Sequence, residues 1–128
     1  MPATSFREYA RIIADTLEAV VGTGHAALFD LLVDERSTQR GFISGRLLFE
    51  DGSELHFRDF VDVVLPDPRL TYAYHFQDAR GDLVFRYDNA AHRPPLPQRE
   101  HKHTRSRVIV SVAPGLADVI DEGLAPGW

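Results

Sequence analysis

Three of the six histidines fall within eighteen residues, RYDNAAHRPPLPQREHKH at positions 86–103, interleaved with arginine and proline. Imidazole titrates near neutrality, so it serves as proton acceptor or donor. Guanidinium is a fixed cation whose planar fork of donors suits phosphate and carboxylate. Together these groups suit phosphodiester cleavage without a metal. One neutral imidazole takes a 2′-hydroxyl proton, a second group protonates the leaving oxygen, and an arginine holds the charge that develops on phosphorus. The candidates for this chemistry are His75, Arg86, Asp88 and His92, with Arg93, His101, Lys102 and His103 as substrate contacts.

A second chemistry is open to the same residues. In an extended segment, residues two apart share a side, so His101 and His103 can take one ion, with His92 or Asp88 added. An H-x-H pair without a defined third ligand is unspecific, and the sequence leads to no expected metal or other cofactor. Each candidate also has a plain structural reading. His75 reads as a satisfied strand histidine, Arg86 as the cross-strand partner of a carboxylate, and Asp88 with Asn89 as side chains bonding the turn that follows. His25 and His56 read as structural or exposed.

The elements that must position these groups follow from periodicity and punctuation. Ser5-Phe6-Arg7-Glu8 has the form of a capping box. Behind it Phe6, Ala10, Ile13, Leu17 and Val20 recur at helical spacing until Gly22 and Gly24, which predicts an amphipathic N-terminal helix. Residues 25–36 fit a helix through Leu28 and Leu32 or a strand through Phe29, Leu31 and Val33; the strands that follow favour the strand. Asp51-Gly52 marks a hairpin between Arg46–Glu50 and Glu54–Val64, with a bulge expected near Asp59 where Phe60 interrupts the polar row of His56, Arg58 and Asp62. Leu70–Gln77 and Leu83–Asp88 form a second hairpin about Gly81, with His75, Gln77, Arg86 and Asp88 on the face opposite the aromatic residues. Pro94, Pro95 and Pro97 then make the histidine-rich run a surface loop. Val108, Val110 and Val112 alternate as a last strand, and Pro114 can open a short helix with Leu116, Val119 and Ile120 on its apolar side. The fold class is α+β: an N-terminal helix on a mostly antiparallel sheet of about five or six strands, with a short C-terminal helix.

Composition sets the outer bounds. The 128 residues are the length of one domain, and no repeat or linker divides 1–128. Cysteine is absent, which excludes thiolate metal sites and thiol nucleophiles. Arg7, Glu8, Arg11, Asp15 and Glu18 break the N-terminal apolar pattern, so neither a signal peptide nor a membrane span is expected and the cytoplasm is the expected location. No Gly-rich phosphate loop, nucleophile elbow or H-E-x-x-H helix is present. The net charge of −5 argues globally against nucleic acid, but residues 80–107 hold seven cationic against three acidic side chains. That stretch is +4 and the remainder −9. This is either a solvated basic loop or an anion-binding edge on an acidic body.

The segments LLFEDGSELHFRDFVDV, LTYAYHFQDARGDLVFRYDNAAH and the later HKH resemble the TumE-like toxin family of bacterial TumE/TumA toxin–antitoxin pairs. The resemblance runs from about Gly45 to His103. The family's loop reads close to R-Y-D-N-A-P-H-H-P, and this chain differs at Ala91 and Arg93. The resemblance implies an intracellular toxin with a helix-turn-helix antitoxin encoded beside it. Ribonuclease action, with RNA as ligand, is the expectation by analogy with other small toxins. Two other readings stand beside it: a non-enzymatic module that binds a protein, and a metal-dependent enzyme acting on nucleotides or phosphates.

Overall fold

In the computed structural model, which describes residues 3–90 and 100–128, two helices and seven strands follow one another as α1 (Phe6–Gly22), β1 (Ala26–Glu35), β2 (Arg40–Phe49), β3 (Glu54–Asp62), β4 (Arg69–Gln77), β5 (Leu83–Asp88), β6 (His101–Thr104), β7 (Val108–Val110) and α2 (Leu116–Leu124). The strands lie in sequence order in one sheet, and every neighbouring pair is antiparallel. The expected α+β class holds, with seven strands where five or six were expected.

Both helices contribute to one core. Ser5 caps α1 by accepting from the Glu8 backbone N–H at 3.1 Å. Phe6, Ala10, Ile13 and Leu17 are then buried along one helical stripe, as the spacing predicts. They join Leu47, Leu55, Phe57, Phe76 and Phe85 from the sheet and Leu116, Val119 and Ile120 from α2. Because side chains alternate along a strand, the opposite face of the sheet has no helix over it among the described residues.

Two expectations are corrected. β2 starts at Arg40, six residues before the expected Arg46. Gly41 and Gly45 look like turn punctuation in the sequence, yet each lets an aromatic ring lie on the strand: Phe6 at Gly41, and Phe57 at Gly45, where a Cβ would come within 2.6 Å of the ring. The second correction concerns the run 86–103. Its first three residues end β5, and His101-Lys102-His103 open β6, paired with β5 on one side and β7 on the other. No apolar alternation announces this strand; pairing on both edges makes it one. The prolines of that run lie outside the described residues.

The bulge expected near Asp59 lies one residue on, as a register shift between Phe60 and Val61. Asp59 alternates with Leu55, Phe57 and Val61 and so falls on the core face, while Phe60 stacks on Phe42, with ring centroids 4.4 Å apart. α2 begins at Leu116 with Gly115 as its cap, and β7 ends at Val110, leaving Val112 exposed beyond it.

Candidate functional site

The helix-free face carries a row of polar side chains, one from each strand across most of the sheet. Register sets Asp30 beside Arg46, Arg46 beside His56, His56 beside His75, His75 beside Arg86, and Arg86 beside His103. The next row on this face holds Ser44, Arg58, Ala73, Asp88 and His101. Ala73 is the one small side chain between Arg58 and Asp88, and the sheet is hollow there. The resulting groove, of about 500 Å³, is lined by Ser44, Arg46, His56, Arg58, Ala73 and Arg86 among others.

Charge in the groove is unevenly compensated. Arg46 is held by Glu54 at 2.6 Å and Asp30 at 3.1 Å. Arg58 makes no ion pair among the described residues. His75 is kept below the ordinary imidazole range, first by burial and then by the nearby charges of Arg86 and His56. It is therefore neutral at neutral pH, the form a proton acceptor needs. The His56 ring lies edge-on to it, 6.5 Å away between centroids.

Asp88 is the hub at the β5–β6 end of the row. Arg86 Nε donates to its Oδ2 at 2.9 Å. His101 Nε2 lies 2.6 Å from Oδ1, and His103 Nε2 lies 3.6 Å from Oδ2. The two imidazole centroids are 4.9 Å apart, and His101 is only 2% exposed. Arg86 thus pairs with a carboxylate two residues along its own strand. Asn89 continues the β4–β5 pairing with its side chain, accepting from Tyr72 N–H at 3.0 Å and donating to the Leu70 carbonyl at 3.2 Å.

Of the sequence candidates, His75, Arg86, Asp88, His101 and His103 come together on this face. Lys102, between two of them on β6, points to the helix side, where its Nζ meets Glu122 at 2.6 Å and lies over the Tyr87 ring. His92 and Arg93 lie outside the described residues. Three groove residues escaped the sequence reading as site residues: Arg46, His56 and Arg58. The shared face of His56 and Arg58 on β3 was visible in the sequence, but only the pairing of β2 with β3 and of β3 with β4 brings Arg46 and these two into the row with His75.

The sequence model of the TumE toxin family matches residues 13–125. The chain belongs to the TumE toxin family. The match extends the resemblance seen between Gly45 and His103 into both helices. No curated protein and no solved structure matches the chain. Membership makes this TumE-family protein the toxin of a toxin–antitoxin pair and gives it an antitoxin partner. Among the described residues, no helix is long and apolar enough to cross a membrane.

Proposed function

We propose that this TumE-family toxin is an endoribonuclease that lays single-stranded RNA across the helix-free face of its sheet and cleaves it without a metal. The observation that carries the reading is the row Arg46–His56–His75–Arg86–His103, which crosses five adjacent strands beside a groove containing Arg58, which has no ion pair among the described residues. Neutral His75 takes the proton of a ribose 2′-hydroxyl, whose oxygen attacks phosphorus. Arg86, held by Asp88, faces the groove and balances the charge that grows on the phosphoryl oxygens. The departing 5′-oxygen needs a proton, for which His56, paired beside His75 on β3, is at hand; His92 is the sequence candidate for the same role. The stacked pair Phe42–Phe60, on the same face with Arg36 5.1 Å from the Phe42 ring, offers a surface on which an unpaired base can stack. The same reading takes the antitoxin as a helix-turn-helix protein encoded nearby and the cytoplasm as the place of action.

The test is cleavage of a long RNA by purified protein in EDTA. Wild type is expected to cut, and His75→Ala is expected to lose about a hundredfold or more in rate, the scale of general acid–base catalysis, while remaining folded. Growth arrest on expression should disappear in the same variant. Intact RNA with folded wild type would overturn the reading. Growth arrest persisting in His75→Ala would point to action through protein binding.

A further inference from the structure

We propose that Asp88, His101 and His103 form a binding site for one divalent transition-metal ion of the zinc type. One ligand atom from each residue can be chosen so that all three lie within 4.8 Å of one another. The backbone fixes this arrangement. Asp88 and His101 are directly paired across β5 and β6, and His103 follows two residues on along the same face. Both imidazoles present Nε2 to the one carboxylate, at 2.6 Å and 3.6 Å. Tetrahedral zinc with bonds of about 2.0–2.1 Å sets its ligand atoms about 3.4 Å apart. The His101–Asp88 pair therefore has to open slightly and the widest separation has to close, changes within reach of side-chain torsions. Two nitrogens and one oxygen suit zinc and its first-row neighbours, and poorly suit magnesium or calcium, which take oxygen.

The surroundings are those of a metal ligand set. Asp88 and His101 are 4% and 2% exposed, so little water competes for their lone pairs. Arg86 Nε orients Asp88 through Oδ2 and the Ala90 N–H reaches Oδ1 at 3.3 Å, as outer-shell donors orient ligating carboxylates, and Oδ1 keeps a second lone pair toward His101 for the ion. Three ligands among the described residues complete three positions of a tetrahedral ion and leave its fourth for a further donor. The site shares Asp88 and His103 with the face proposed to carry RNA, but it does not rest on the proton transfer proposed for His75.

The experiment uses the full chain, stripped with EDTA, desalted and then titrated with zinc and, separately, with cobalt. Expected are one ion bound per chain by calorimetry, a thermal midpoint that rises with zinc and returns on chelation, and the intense visible absorption of low-coordinate cobalt. His101→Gln and His103→Gln should each weaken binding at least tenfold. His103, the less buried of the two, supplies the variant that keeps its fold if His101→Gln does not. Folded wild type with no midpoint shift and no bound zinc would overturn the site. So would full binding retained in His103→Gln, which would place the ion on other histidines. RNA cleavage is assayed separately in EDTA, so failure of the metal site and failure of the ribonuclease reading are independent results.

Discussion

Asp88 and Asp59 are both nearly inaccessible carboxylates, and the protein treats them differently. Asp88 receives a guanidinium and faces two imidazoles. Asp59, on the core face, accepts one hydrogen bond from Tyr9 Oη at 3.0 Å, while its Oδ1 has no hydrogen-bond partner among the described residues. Burial, only partly offset by Tyr9 and Arg69, pushes the Asp59 carboxyl up to about 6 from its ordinary 3.8. The folded chain then holds this proton more tightly than the unfolded chain. The stability it contributes is complete below about pH 3.8 and is lost as pH rises through about 6, a span worth about 3 kcal/mol. Urea unfolding is therefore expected to show wild type weaker at pH 8 than at pH 5, by about 1 kcal/mol from this group. Asp59→Asn should remove that difference; a variant retaining it would assign the dependence to another group. Alternation along β3 with Leu55, Phe57 and Val61 already sets Asp59 on the inward face, but its depth of burial and its hydrogen bond to Tyr9, 50 residues away, were not legible in the sequence.

At the scale of elements, the close contact between α1 and β2 depends on a missing side chain. A Cβ at Gly41 would enter the Phe6 ring and approach the Asp34 carbonyl oxygen to 2.6 Å. Backbone cannot yield as a side-chain tip can, so Gly41→Ala is expected to cost about 2 kcal/mol in chemical denaturation. Gly22→Ala is the control: nothing lies within 4 Å of its Cβ position, and alanine favours the helix, so stability should hold or rise. Equal losses in the two variants would refute the packing argument. This contact also explains the limits of reading elements from sequence. α1 was legible because its apolar stripe and capping box are local. The two hairpins were legible because Gly52 and Gly81, both at φ 87, punctuate them. The start of β2 was hidden because its glycines serve distant aromatic rings, and β6 because its partners alone make it a strand. The candidate site follows the same division: His75, Arg86 and Asp88 could be placed on one face from local alternation, whereas Arg46, His56 and Arg58 join them only through pairing.

For the whole molecule, the proposed RNA binding has to be reconciled with a net charge of −5. The answer turns on which cations are already neutralised. Arg46 and Arg58 line the same groove, but Arg46 is paired with both Glu54 and Asp30 whereas Arg58 has no ion pair among the described residues. A phosphate that pairs with Arg58 would shed its condensed counterions into solvent, while Arg46 must first give up its carboxylates. For single strands, each phosphate neutralised contributes about 0.7 to the slope of log affinity against log salt. Binding of an uncleavable RNA, such as one with 2′-O-methyl riboses, is therefore expected to lose about 0.7 of slope in Arg58→Gln and much less in Arg46→Gln. Arg58 is exposed, so its replacement should leave thermal stability unchanged and keep the comparison clean. Equal slopes in wild type and Arg58→Gln would mean that RNA, if bound, does not use this groove. An equal loss in both variants would mean that proximity governs the contact and that existing ion pairs do not.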